Sequence, residues 1–397
     1  MTTRVRHGRS LSLRLSFVVA TVSFVLVFAA AGTPIPLYNL YRAQDGITHS
    51  DLAMVSVAYF VAAATALLLL GRLSDYFGRK PLAIAALASA AASCLILAGM
   101  RGVESLFVAR VLQGLASGLA PSGLGAYAVD SAPPRPRWLP SVITGSSPML
   151  GIPLGALACG ALAQFAPAPR VLVYAITGAS LVACTVMMGL ARETMHPRPG
   201  AWASLRPRLL IPQGSGRLLV VAGAACVATW SLGGFYQAFG PSAAAEYLGT
   251  TSPLVAATMF ASVMVLNPLG GALAGRLPPI IALRAGLGLF ALALVGILVS
   301  LHAGLFVALI VASLLAGLSQ GAASTGAIQG LLPQTAPDQR AGLLSTLYLI
   351  SYCGAALPGM VASHYARSTD LFSIALGYAA LGLLASIVAI IASPRNR

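Results

Sequence analysis

Charged residues are scarce in this sequence. Asp, Glu, Lys and Arg together make up 8% of its 397 residues, where a soluble domain carries about 25%. Acids are scarcer still, nine against twenty-four Lys and Arg. With 58% of the residues apolar, so few charges cannot cover a water-facing surface, which excludes a soluble globular fold. Cysteine is sparse as well. Cys94, Cys159, Cys184, Cys226 and Cys353 all sit in apolar runs without CxxC spacing. Neither a metal cluster nor a disulfide framework is expected from them, and they are read as small packing residues. No HExxH and no GxxxxGK[ST] occurs, which argues against zinc-peptidase and ATP-driven chemistry. No enzymatic activity and no cofactor are expected.

What is present is apolar sequence in long blocks. Twelve segments are predicted, at 15–37, 52–70, 81–100, 105–128, 139–163, 171–191, 218–239, 254–274, 280–301, 305–330, 343–364 and 371–392. Each is long enough for a bilayer core, which takes about 20 helical residues. The expected fold class is an all-α membrane protein of twelve transmembrane helices.

The net charge of +15 invites a nucleic-acid reading, but its placement points to topology. With the amino terminus in the cytoplasm, nineteen of the twenty-four basic residues fall inside. They include Arg4, Arg6, Arg9 and Arg14 in the tail, Arg72, Arg79 and Lys80 after span two, and five arginines between Arg192 and Arg217. This is the positive-inside bias of a polytopic protein. Four acids, Asp75, Asp130, Glu193 and Asp338, share that side, so the inside balance equals the whole net charge. No nucleic-acid partner is needed. The basic start followed by Ala29-Ala30-Ala31 also fits a cleaved signal peptide. The apolar run continues through Leu37, however, and an even span count requires it to stay.

The stretch 192–217 holds Pro197, Pro199, Pro207 and Pro212 and cannot form one helix. The expected organisation is a cytoplasmic tail 1–14, a six-helix bundle 15–191, a cytoplasmic linker 192–217, a second bundle 218–392 and a tail 393–397. The halves repeat. Gly71-Arg72-Leu73 and Lys80 bound the loop after span two, and 204 positions later Gly275-Arg276-Leu277 and Arg284 bound the loop after span eight. Two such halves usually enclose a site near the midplane.

The loop Gly71-Arg72-Leu73-Ser74-Asp75-Tyr76-Phe77-Gly78-Arg79-Lys80 resembles the GxLxDxxGRK signature of the major facilitator superfamily, in the family's own position between spans two and three. The resemblance covers nearly the whole chain and implies two pseudo-symmetric six-helix bundles. It also implies that Gly71, Asp75, Gly78, Arg79 and Lys80 form a conformational latch. There Asp75 would cap the start of span eleven near Arg340. An acid can stabilise a helix start in that way, and Gly78 suits a tight turn. In the second half Pro279 stands in place of Asp75.

Arg110-Val111-Leu112-Gln113-Gly114 resembles a second family signature, RxxQG, whose arginine is linked to proton coupling or substrate binding. An arginine in hydrocarbon is a functional-site hypothesis, while snorkelling to the interface is the plain alternative. Span five, with Gly145, Pro148, Gly151, Pro153, Gly155 and Gly160, resembles the glycine-rich signature of the drug–proton antiporters, although Ala156 replaces its proline. Tight packing and a kink would explain the same residues.

Polar side chains inside the spans are the substrate candidates: Tyr59, Gln113, Trp230, Tyr236, Gln237, Asn267, Gln320, Gln329, Tyr348 and Tyr352. For any single one of them, interhelical hydrogen bonding is the first reading and substrate contact the second. No acid falls at the middle of a span, which leaves Asp51 and Asp130 as the nearest proton carriers. The expectation is a secondary transporter in the inner membrane with both termini cytoplasmic. It is read as a monomer that exports small organic compounds by proton antiport. A carrier for a neutral metabolite such as a sugar is the alternative within transport, and a non-transporting membrane sensor the alternative outside it.

Overall fold

The computed structural model describes residues 11–136, 138–195, 197–201, 205, 216–336 and 339–394. Most of the linker and the tails, together with Asp338, therefore lie outside the described residues. Among those described there is no strand. Among the described residues twelve helices are long and apolar enough to cross a membrane: α1 Leu13–Asp45, α2 His49–Phe77, α3 Arg79–Ala98, α4 Val103–Ser131, α5 Leu139–Phe165, α6 Pro169–Leu190, α7 Gly216–Tyr247, α8 Pro253–Ala274, α9 Pro279–His302, α10 Phe306–Gln334, α11 Gly342–Tyr365 and α12 Leu371–Ala392. A bilayer leaves no water for the backbone, and helices satisfy every peptide group internally.

Five of these run three or more residues past the apolar blocks, among them α10, which continues four beyond Gly330. α1 continues eight residues beyond Leu37, α2 seven beyond Leu70, α4 three beyond Ala128 and α7 eight beyond Phe239. Hydropathy falls where a helix leaves the hydrocarbon, whereas its backbone ladder continues. α1 is interrupted where Pro34 and Pro36 fall, a 3₁₀ turn over Ile35–Leu37 joining Leu13–Gly32 to Tyr38–Asp45. α2 and α4 each carry a widened π-helical turn, Ala66–Leu70 and Pro121–Gly125. Pro121 lacks the N–H that an α-helical turn needs.

Lipid is as apolar as leucine, so membrane helices associate through close packing of small residues. α4 lies on α2 through Gly114 and Gly118, whose missing Cβ atoms would collide with the Tyr59 and Ala63 carbonyl oxygens. α10 lies on α8 through Gly317 and Gly321, which face the Val263 and Asn267 carbonyls in the same way. The carbonyls repeat at the 204-residue offset of the loops, and the glycines that meet them one residue short of it. The basic residues closing the two loops repeat as well. Lys80 Nζ donates to the Ala191 carbonyl at 2.9 Å, at the end of α6. Arg284 donates to Ser393 Oγ at 2.7 Å, at the end of α12. The fold is two related six-helix bundles, which meet where α2 packs on α11 and α5 on α8.

Substituting Gly118→Val or Gly321→Val overpacks a backbone-to-backbone contact and is expected to cost about 1–3 kcal/mol. The measurement is the unfolding midpoint in detergent, which should fall for both variants. Gly288, whose Cβ would meet nothing within 4 Å, is the control: Gly288→Ala should leave the midpoint unchanged or raise it.

Candidate functional site

A cavity of about 230 Å³ lies between the bundles. Its wall takes Tyr59 and Phe60 from α2, Trp230 and Gln237 from α7, Gln320 from α10, and Tyr348 and Tyr352 from α11. Six of the sequence candidates thus converge on one space. The rings pack on one another: Trp230 meets Tyr352 edge-on at 5.1 Å, and Tyr59 meets Phe60 at 5.4 Å. Further wall residues, Leu67, Thr144, Gly145 and Met264, lie toward the face that bears the 71–80 loop, so the cavity runs from mid-depth to that loop face.

At the opposite face the bundles are tied together by polar contacts. Asn39 Nδ2 donates to the Pro241 carbonyl at 2.6 Å, and His49 Nε2 lies 3.1 Å from Glu246 Oε1. Ser252 Oγ donates to Gln164 Oε1 at 2.8 Å, and Ser363 Oγ to Met54 Sδ at 3.3 Å. Sequence reasoning missed Asn39, His49 and Glu246. A lone polar residue near a span end carries no pattern that marks its partner on the other half.

Arg110 is fully buried at 0% exposure, so it does not snorkel. Its Nη1 donates to the Ala31 carbonyl and to Gln113 Oε1, both at 2.9 Å, and Gln113 Nε2 donates to the Ala30 carbonyl at 2.9 Å. Ala30 has that carbonyl to offer because its helical partner, four residues on, is Pro34, which has no N–H. The guanidinium also lies 4.4 Å from the Tyr59 ring centroid, a cation–π contact that gains strength when desolvated. Tyr59 Oη donates to Ser117 Oγ at 3.2 Å. Tyr59 therefore stands between Arg110 and the cavity, with one face of its ring on the cation.

The loop residues form a separate network at the loop face. Gly78 adopts φ +104°, and a Cβ there would run into the Glu193 carboxylate. That carboxylate accepts from the Arg79 N–H at 2.9 Å and the Lys80 N–H at 3.1 Å, capping the start of α3. Arg79 Nη1 donates to Asp75 Oδ1 at 2.8 Å, and its Nε lies 3.5 Å from Asp130 Oδ2. Asp130 also accepts from Thr194 Oγ1 at 3.0 Å. Gly71 accepts a bond from Ser74 Oγ at 3.3 Å through its carbonyl. Among the described residues Asp75 is thus bonded to Arg79, with no bond to the start of α11. Arg340 Nε donates to the Thr335 carbonyl at 3.4 Å, within its own bundle. Glu193 is a loop residue that the signature does not include, so nothing in the sequence marked it as the cap.

Other candidates are placed away from the cavity. Tyr236 hydrogen-bonds with Ser313 of α10. Asn267 and Gln329 lie off the cavity wall toward the loop end of the second bundle, Gln329 near Gly275. Asp51 closes a capping box with Thr48 at the start of α2. Asp45 pairs with Arg170 at 2.7 Å. Asp370, between α11 and α12, accepts from Ser373 N and Oγ, which holds its carboxyl below the usual carboxylate range. Among the described residues no carboxylate lines the cavity. The stretch Gly317-Leu318-Ser319-Gln320-Gly321 spells GxSxG, yet it is mid-helix, and Ser319 is buried with its hydroxyl on the Ala316 carbonyl. That is packing, not a nucleophile elbow.

Comparison with known proteins places this geometry. The chain is similar to the multidrug resistance protein MdtL of Klebsiella pneumoniae subsp. pneumoniae, 28% identical over 200 residues, which are 50% of this chain and 48% of that protein. It is similar to the uridine/deoxyuridine transporter of Lactococcus lactis subsp. cremoris, 33% identical over 114 residues, 29% and 23% of the two chains. The chain thus aligns with about half or less of these curated relatives. Two solved structures share the fold: the nucleoside transporter NupG, at TM-score 0.72 and 12% identity over 96% of this chain and 100% of that one, and a bacterial homologue of the human lysosomal transporter Spinster, inward-facing and unoccupied, at TM-score 0.71 and 14% identity over 96% and 95%. The sequence model of the Major Facilitator Superfamily matches residues 20–360, and the chain belongs to that family of membrane transporters.

Proposed function

We propose that this protein moves a small organic compound across the bilayer by alternating access, and that the compound carries a planar ring and no net positive charge. One observation carries the reading: the cavity between the bundles is walled by aromatic rings and two amides, Gln237 and Gln320, with no carboxylate among the described residues. Rings of this kind stack on a flat ligand, and the amides can each donate to and accept from its polar edge. A cation would find no counter-charge there and would face Arg110 behind the Tyr59 ring. At about 230 Å³ the space is smaller than the roughly 300–1,000 Å³ of drug-sized sites, which favours a compound of one or two rings.

The basic residues set the loop face in the cytoplasm of an inner membrane, with both termini on that side. One chain holds both bundles and the cavity between them, so a monomer suffices. In this orientation the cavity faces inward and the opposite face is sealed. The Asp75–Arg79–Asp130 network is then the unlocked form of a latch. When the bundles close at the loop face, Asp75 comes within reach of the start of α11 beside Arg340.

Export is favoured by the relative named a multidrug resistance protein, and proton antiport is the coupling that the glycine-rich stretch of span five would imply by its resemblance. Equilibration or uptake of a neutral metabolite is the second reading, favoured by the missing cavity carboxylate and by the relative named a uridine/deoxyuridine transporter. Flux into proteoliposomes holding a pH-sensitive dye separates them, using uridine, glucose, an uncharged aromatic drug and ethidium under an imposed pH gradient. Saturable flux of an uncharged ring compound is expected, with a substrate-dependent pH change if antiport operates. Flux without that change retires the antiport. Preference for ethidium overturns the cavity reading, and no saturable flux at all returns the chain to the sensor class.

Two substitutions follow. Gln237→Ala should raise KM for the transported compound about tenfold, the loss of a hydrogen bond of about 1.4 kcal/mol, with insertion unchanged. Asp75→Asn should cut flux severalfold while leaving insertion intact, and wild-type flux in that variant would retire the latch.

A further inference from the structure

We infer that the groove between α2 and α11 is a lateral entrance, through which a lipophilic compound dissolved in the bilayer reaches the central cavity. This rests on the carrier reading above and narrows its substrate class to uncharged, membrane-partitioning ring compounds.

The groove has a volume of about 440 Å³ and faces outward between the two bundles. Val61, Leu357 and Met360 stand at its rim with 51%, 57% and 48% of their surfaces exposed, where only lipid can meet them. Thr65 and Cys353 supply the polar side-chain atoms at the groove's outer wall. A file of water would have little to hold it there, whereas an apolar compound leaving the bilayer gives up little.

Continuity with the cavity distinguishes this groove. Phe60 and Tyr352 line both spaces, with ring centroids 6.4 Å apart. The partition between membrane and cavity is therefore two side chains, which rotate, and not backbone, which does not. A larger hollow of about 790 Å³ against α12 adjoins the groove at Leu349, Cys353 and Leu357 but shares no residue with the cavity. Size alone is thus not the criterion.

The backbone of α2 supplies the cause. Toward the sealed face α2 packs tightly on α11, with Val57 against Gly359, where a Cβ would lie 2.9 Å from Val57 Cγ2. Toward the loop face the π-helical turn Ala66–Leu70 widens the helix and shifts the register of its side chains. Leu68 and Leu69 of that turn form part of the groove wall. Such turns are frequent at functional sites, and here the turn sits where α2 parts from α11.

The test reads access to a thiol placed inside the cavity. Gly233 lines the cavity, and a Cβ there meets nothing within 4 Å. Gly233→Cys is made in a chain carrying Cys226→Ala and Cys353→Ala, which leaves only the buried Cys94, Cys159 and Cys184 besides the reporter. In proteoliposomes, pyrene maleimide dissolved in the bilayer probes the lateral route, and a sulfonated maleimide in the water probes the cavity mouth. Thr65→Trp and Leu349→Trp each fill the groove from one wall. Both are expected to slow the pyrene reagent at least tenfold and to leave the sulfonated reagent within twofold. An unchanged pyrene rate in both variants overturns the entrance, as does equal slowing of the two reagents, which would mean a collapsed cavity. Failure of the sulfonated reagent to reach Gly233→Cys in the unfilled chain, with the pyrene reagent still reacting and still blocked, counts against the carrier's aqueous mouth and upholds the entrance.

Discussion

The structure depends on backbone meeting backbone. A bilayer gives two helices no hydrophobic reason to associate, so their contact must come from van der Waals packing at short range. Gly114 and Gly118 bring α4 onto the carbonyls of α2, and Gly317 and Gly321 bring α10 onto those of α8. With these contacts fixed, the Tyr59 ring is held beside Ser117 and Arg110. Gln320, flanked by Gly321, is carried to the cavity wall. The glycines that look damaging in a soluble helix are what place the polar residues.

A second constraint is that each buried polar group needs a partner, since an unpaired one in a low-dielectric interior is costly. At several places the chain meets it by pairing local defects with side chains, although Arg110 Nη2 and Gln237 Nε2 are buried without a hydrogen-bond partner. Pro34 leaves the Ala30 carbonyl without its helical donor, and the Thr33 hydroxyl and Gln113 supply donors. The start of α3 at Arg79 and Lys80 has free N–H groups, and Glu193 accepts them. Arg110, Gln113 and Gly114 of the RxxQG pattern, and Asp75, Gly78, Arg79 and Lys80 of the loop signature, thereby have structural duties. A mobile function must be built on top of that duty and not in place of it.

The asymmetry between the two faces follows from the same rules. At the sealed face, short polar contacts such as Asn39 to Pro241 and His49 to Glu246 cross between the bundles. At the loop face the charged residues pair within their own bundle, Arg79 with Asp75 and Asp130, and Arg284 with Ser393. Contacts between bundles must break and re-form in an alternating-access cycle, while contacts within a bundle need not. The distribution of partners therefore records which face is closed.

Much of this was legible in the residues themselves. The twelve spans, the half-repeat and the family follow from hydropathy, from the 204-residue offset and from the loop signature, because these are local patterns with a fixed period or spelling. Polarity inside a span was enough to nominate Tyr59, Trp230, Gln237, Gln320, Tyr348 and Tyr352. It could not separate them from Tyr236, which faces Ser313, or from Asn267 and Gln329, because the facing of a side chain depends on the neighbour its helix packs against. The partner of Asp75, the cap supplied by Glu193 and the sealing pair His49–Glu246 join residues separated by four, 114 and 197 positions. The long-range pairs carry no sequence period. Which groups span the hydrocarbon was written in the chain, and which of them meet was decided only when the two bundles packed.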